Sequence, residues 1–369
     1  MTIDDTPYDL TSIPTEIWQN IITLACTDGG STGRSLILTS KLFHAQANDS
    51  RFTSLALFSL DQAERFLAFV RSRPSEWRYP VRHLWLSFLN DCLNGWGRES
   101  ILSAKDDSDL EWHMRFDRAM HDLLALVAPA LRTLTLSQGD RQRLPCFRLD
   151  FPMLKELTVW GNISAVELPH SGTCAPHLPA LQRFHFVTNK PSARTHLLAP
   201  TSWLSASPIT HLRLSDLNDV DEETGFASAL ARALGARMPG RFWSSPIVVP
   251  TDPVPSQGKE IILSHLRYLW IHGIEWFPST CSEAELEDKW EVLKYKLQEV
   301  RVAAWEREVW ALVMERSWRK GTVWERRLWD DWLDRMEGGR GCWVDSEDEE
   351  KALEGPDIVG AHEGGQIWD

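Results

Sequence analysis

The chain has 369 residues, 43% hydrophobic and 25% charged, with 39 basic and 52 acidic side chains for a formal net charge of −13. That length supports one large domain or two to three small ones with a sizeable core, and the negative balance argues against nucleic-acid phosphates or an anionic membrane surface as partners. Six cysteines without a CxxC pair exclude a disulfide framework or a zinc ribbon, and an acidic start with no run of about 18 apolar residues predicts an intracellular chain, cytoplasmic or nuclear, without a leader or spanning helix.

Residues 10–50 read as a helical segment. Pro14 stands at a helix start, where its missing N–H costs nothing. Ile13, Ile17, Ile21 and Leu24 follow at i, i+4, i+8 and i+11, and Trp18 and Ile22 widen the stripe. The stretch CTDGGSTGR reads as a flexible helix connection. As a phosphate loop it fails at Asp28 and Arg34, where that pattern needs Gly and Lys, and no strand precedes it. A second helix, SLILTSKLFHAQAND, carries Leu36, Leu38, Leu42 and Phe43. So much apolar surface on so short a segment must pack on the next domain or on another protein.

Residues 51–275 contain an internal repeat. LKELTVWGN places Leu154, Leu157, Val159 and Asn162 in the pattern L-x-x-L-x-L-x-x-N, and LQRFHFVTN repeats it with Leu181, Phe184, Phe186 and Asn189. Shorter copies occur in FTSLAL, VRHLWLSFLN, LRTLTLSQG, ITHLRLSDL and LRYLWIHG. Their central apolar residues are Leu55, Leu84, Leu134, Leu157, Phe184, Leu212 and Leu269. Helical patterns lie between them, in DQAERFLAFVRS, DLEWHMRFDRAMHDLLALVAPA and DEETGFASALARALGARM, each opening with acidic residues that favour a helix N-terminus. One such unit cannot cover its own apolar face, so units are expected to stack into a right-handed β/α solenoid. Pro246, Pro250, Pro253 and Pro255 mark a loop.

Within each strand the intervening side chains point away from the core. Trp85, Trp160, Arg183, His185, Arg213, Tyr268 and Trp270 fall there, a composition typical of interface hot spots. They are candidate substrate-binding residues if that face is open. Equally, C-terminal helices could fold across it and bury them. Residues 282–337 read as long Trp-rich helix: Trp290, Leu293, Leu297, Val300 and Ala304, then Trp305, Val309, Leu312 and Val313, keep helical spacing. After a break at Gly321, Trp324, Leu328, Trp329, Trp332 and Leu333 form a second amphipathic helix, read as a cap or a partner-binding element. Residues 338–369, with the run DSEDEE, read as a disordered acidic tail.

His170, Cys174 and His177 lie close together, but a closed zinc site needs four ligands and no fourth is indicated. No GxSxG, HExxH or Cys–His string is present. The chain is therefore read as non-enzymatic, with no catalytic, cofactor-binding or metal residue assigned.

Two resemblances follow from these residues. The L-x-x-L-x-L units resemble leucine-rich repeats. I-P-x-E-I-W followed by S-L-x-L-T-S-K-x-F-H resembles an F-box, and the insert A-C-T-D-G-G-x-T-G resembles the variant common in mushroom-forming fungi. The fold expected is thus α/β: an N-terminal helical F-box-like segment, an irregular leucine-rich-repeat-like solenoid and a Trp-rich helical C-terminus. The resemblance implies a substrate-receptor subunit of an SCF-type ubiquitin ligase, docking a Skp-type adaptor and through it a cullin, and holding an unidentified target protein. It implies adaptor contacts at Ile13, Pro14, Glu16, Ile17, Leu36, Leu38 and Phe43, which Trp18 and Ile21 extend along the stripe. The alternative is a non-enzymatic interaction scaffold whose F-box-like segment only caps the solenoid. Exposure of Ile17 and Trp18 separates the two, since docking needs them outward and capping needs them buried.

Overall fold

The computed structural model describes residues 13–73, 81–88, 107–137, 149–161, 178–188, 207–215, 263–272, 308–314 and 324–343, with single residues between 230 and 305. The Pro-rich loop, the His170–Cys174–His177 group, Asn162, Asn189 and residues 344–369 lie outside them. The fold is mixed α/β, and the chain divides into two compact units, Met1–Thr322 and Val323–Asp369. Among the described residues no helix is long and apolar enough to cross a membrane.

The first unit opens with three helices, α1 (Thr15–Ala25), α2 (Ser31–Thr39) and α3 (Lys41–Ser50). The helix expected from Ser35 onward is therefore two helices. Ser40 divides them: it is extended, and its Oγ accepts from the Phe43 amide at 3.2 Å, which caps α3. There follow β1 (Ser54–Leu57), α4 (Leu60–Arg71), β2 (His83–Ser87), α5 (Asp107–Val127), β3 (Thr133–Ser137), β4 (Glu156–Gly161), β5 (Arg183–Thr188), β6 (His211–Ser215), β7 (Tyr268–His272) and β8 (Trp310–Met314).

All eight strands form one sheet in the order β1 to β8, and each neighbouring pair is parallel. Leu55, Leu84, Leu134, Leu157, Phe184, Leu212 and Leu269 are Cα partners across six successive strand pairs, and Ala311 completes the row on β8. A second apolar row, from Leu57 to Ile271, runs two residues further on. Together with α4, α5 and the buried Leu230, Leu234, Leu297 and Val300 these rows make one core. Each strand from β1 to β7 therefore buries two large side chains, about 1.5–3 kcal/mol apiece.

The turn before the strand repeats as well. Pro129-Ala130-Leu131, Pro152-Met153-Leu154 and Pro179-Ala180-Leu181 each expose the proline and bury the leucine. The next two amides then share one carbonyl of the preceding strand. Arg132 and Thr133 donate to Arg82 O at 2.7 and 3.0 Å, and Lys155 and Glu156 donate to Arg132 O at 2.8 and 3.1 Å. Gln182 with Arg183, Thr210 with His211 and Arg267 with Tyr268 continue the pattern.

Helix α4 is capped by Ser59, whose Oγ accepts from the Gln62 amide at 3.2 Å, while Gln62 Oε1 accepts from the Phe58 amide at 2.8 Å. It joins α5 through Arg115 to Glu64 at 2.6 Å, Arg115 to Asp61 at 3.4 Å and Arg71 to Asp122, all solvent-exposed pairs that contribute little.

The long helix expected over 282–337 is interrupted. Helical residues occur up to Trp305, but Trp310–Met314 is a strand. Glu308 causes the break. It takes the left-handed conformation at φ 58°, its amide donates to Trp305 O at 3.0 Å, and the Val309 amide donates to Ala304 O at 3.0 Å. This bond pair closes a helix in a position usually held by glycine. In the second unit, α6 (Trp324–Met336) buries Leu328, Trp332 and Met336, with Trp329 stacked on Trp332 at 5.2 Å. The first residues assigned to the tail are ordered. Gly341 N donates to Asp334 Oδ2 at 2.7 Å, and Trp343 is buried.

Because an L-residue in the left-handed region carries about 1–2 kcal/mol of strain, Glu308→Gly is expected to stabilise the protein by about 1 kcal/mol. The urea unfolding midpoint measures this, and a midpoint that falls would contradict the account of the break.

Candidate functional site

The N-terminal helices carry apolar side chains on two sides. Trp18 and Ile22 on α1 and Cys26 at its C-terminal cap, at i, i+4 and i+8, turn inward. Ile22, Cys26 and Ala47 form a small core against Leu36, Ile37 and Phe43, and the Trp18 and Phe43 rings meet edge to face at 5.1 Å. This core is separate from that of the sheet. Ile17 (49% exposed), Ile21 (46%) and Leu24 (76%) occupy the outer side of α1 at i, i+4 and i+7, and Leu38 on α2 is 76% exposed. Four large aliphatic side chains exposed on two short helices make a candidate contact surface.

The nine expected adaptor contacts thus fall into two groups. Pro14, Glu16, Ile17, Ile21 and Leu38 face solvent, while Ile13, Trp18, Leu36 and Phe43 are half-buried. Trp18, Leu36 and Phe43 instead hold the helices together. Leu24 joins the outer group and was not among the expected contacts, although its spacing from Ile17 places it on the same side.

The glycine-rich connection is a built linkage rather than a flexible one. Asp28 caps α2 through the Thr32 amide, at 3.0 and 2.8 Å to its two oxygens, and the Thr32 hydroxyl, at 2.7 Å. Gly29 N donates to Ser54 Oγ at 3.1 Å, and Gly29 O accepts from the Ala56 amide at 3.2 Å. The connection thereby joins the outer edge of β1. A side chain at Gly33 would place its Cβ 2.6 Å from Arg51 Cβ, so only glycine allows this approach of α2 to the end of α3.

The second sheet face carries the candidate substrate-binding residues. Ala56, Trp85, Thr135, Thr158, His185, Arg213, Trp270 and Leu312 are register partners in one row across all eight strands. Trp85 and His185 are 0% exposed, Arg213 3% and Trp270 9%. The open-face expectation therefore does not hold for these four. Alternation places them opposite the core without fixing what surrounds them, and the folded chain removes them from solvent. Trp160, Arg183 and Tyr268 keep partial exposure.

Some polar members of this face pair with one another. Arg183 pairs with Glu156 at 2.7 Å across β4 and β5. His185 Nε2 lies 3.0 Å from Ser215 Oγ, Arg213 Nε donates to the same oxygen at 3.4 Å, and the Arg213 guanidinium sits 5.6 Å from the Trp270 ring centroid. A serine–histidine contact also occurs in nucleophilic sites, but here both groups are fully buried, out of reach of a solvent-borne substrate. Tyr268 stacks on His211 at 4.5 Å.

Comparison of the chain with protein-family models, with curated proteins and with solved structures gives no match.

Two outcomes follow from these contacts. Ser215→Ala removes the oxygen shared by His185 and Arg213 and is expected to cost about 1–3 kcal/mol, measured by urea unfolding. An unchanged midpoint would mean that the shared oxygen carries no weight. Burial, with Asp28 adding, raises the Cys26 thiol from 9.0 to about 11. The unfolded chain releases this proton first, so the contribution is complete below pH 9 and is lost as pH rises toward about 11. Cys26→Ala should flatten the fall of the unfolding midpoint over that interval, and an identical fall in the variant would assign it to other groups.

Proposed function

We propose that this chain is the substrate-receptor subunit of an SCF-type ubiquitin ligase. In this reading the three N-terminal helices are an F-box-like hook for a Skp-type adaptor, and the sheet with its helices is a leucine-rich-repeat-like solenoid that holds a target protein. The receptor performs no covalent step. It raises the effective concentration of target lysines near the ubiquitin-charged conjugating enzyme.

The observation that carries the reading is the exposed stripe Ile17, Ile21 and Leu24, set beside a small core that Trp18, Ile22 and Cys26 already close. A segment serving only as a cap would turn that stripe onto the sheet. Two observations favour the scaffold alternative: Trp18 is half-buried against Phe43, and Gly29 is hydrogen-bonded to β1 at the sheet's first edge. The Gly29 bonds involve the α1–α2 connection, and both observations leave the stripe outward, so they weigh less.

The test is co-expression with a Skp-type adaptor followed by gel filtration. The wild type is expected to form a one-to-one complex. Ile17→Asp is expected to weaken it by about 2 kcal/mol or more, near thirtyfold, as for a buried apolar anchor, while the melting temperature of the free chain stays close to wild type because Ile17 is half exposed. A folded wild-type chain that forms no complex would favour the scaffold reading.

A further inference from the structure

The residues one position before β2, β3 and β4 are Arg82, Arg132 and Lys155. Their main chains are locked together, with Arg132 N donating to Arg82 O at 2.7 Å and Lys155 N to Arg132 O at 2.8 Å. The three therefore stand one strand spacing apart, about 4.8 Å, in a line across the sheet. Arg132 and Lys155 are exposed and Arg82 is half-buried. Among the described residues none of the three has an ion-pair partner. Arg183, at the start of β5, differs, because Glu156 meets its charge. The line continues through the neutral Gln182 and Thr210 to the exposed Arg267.

Three like charges at this spacing repel one another, and the sheet does not require them. The register is held by the shared carbonyls and by the buried Leu131 and Leu154, which leave the side chains at these positions free to vary. Cations are thus concentrated in one line on a chain whose net charge is −13.

We propose that the line Arg82–Arg132–Lys155 docks an acidic, extended segment of a partner protein lying across the starts of β2, β3 and β4. A chain extended as polyproline II advances about 3.1 Å per residue with three residues per turn, so acidic side chains three apart share one side about 9.3 Å from one another and match the two strand spacings between Arg82 and Lys155. The two guanidinium groups offer bidentate geometry to carboxylates. Met153, 44% exposed in the turn before β4, offers apolar contact beside them. A nucleic acid fits less well, because only three phosphates could be met and the rest of the chain's net negative charge opposes a long polyanion. No residue of the N-terminal helices takes part, so this site does not rest on the adaptor reading.

The test is fluorescence anisotropy of the full-length protein with a labelled peptide of about twelve residues, with Glu at every third position and Pro and Gly between, at about 50 mM salt, where surface charge is weakly screened. Binding is expected, and added salt is expected to weaken it. Arg132→Glu and Lys155→Glu should each lower the affinity at least tenfold and Arg132→Lys should retain most of it. Arg118→Glu, an exposed charge reversal on α5, should leave it unchanged. Circular dichroism checks that each variant is folded, and Arg132→Lys with Arg132→Ala replaces any reversal that is not. Absence of binding by the wild type, or binding indifferent to both reversals, overturns the proposal. Tighter binding of a single-stranded oligonucleotide carrying the same number of charges overturns it in favour of nucleic acid.

Discussion

Register between neighbouring parallel strands is the constraint on which the first unit depends. Side chains alternate along a strand, so a slip of one residue would send Leu157 and Val159 outward and bring Thr158 into the core. Two features prevent it. The central apolar residues align partner to partner from Leu55 to Ala311, and the starts of β2 to β7 each donate two amides to one carbonyl at the start of the preceding strand. The first sets which face is buried, and the second sets where each strand begins. Helices α4 and α5 are placed by the same face.

Fixing the register also fixes what stands on the other positions of each strand. The polar side chains of the second face meet at strand spacing, which is why Glu156 can reach Arg183 and why His185 and Arg213 converge on Ser215. Buried polar groups of this kind add specificity more than stability, since desolvation offsets most of their attraction. The N-terminal helices solve a different problem. They close a small core with one side of α1 and keep aliphatic side chains on another, so their packing does not use up the surface that a partner would need.

Much of the sheet was legible in the sequence because the L-x-x-L-x-L pattern combines a period of two with an anchoring apolar residue, and seven of the eight strands carry a version of it. β8 was not. Trp305, Val309, Leu312 and Val313 satisfy helical spacing, while Val309, Ala311 and Val313 alternate, so periodicity alone cannot decide between helix and strand. The deciding residue, Glu308, adopts a backbone conformation that its type does not announce. Ser40 was hidden in the same way, as one polar residue within a continuous helical pattern. The outward stripe at Ile17 and Ile21 was readable from spacing. The burial of Trp85, His185 and Arg213 was not, because alternation assigns a face without saying what lies over it. Arg82, Arg132 and Lys155 occupy the first variable position of each copy, and their alignment becomes a line of charge only once the register is known.

The strictly sequential strand order has a consequence for how the sheet fails. Among the strands each pairs only with its neighbours in the sequence, so removing a terminal strand deprives one neighbour rather than the whole sheet. The central apolar positions lie 23 to 57 residues apart, yet all of them join the same row, so the connections can change length without altering the pairing, at a closure entropy that grows only logarithmically. Loss of order should therefore spread inward from β1 or β8 as fraying, and amide exchange should slow toward β4 and β5.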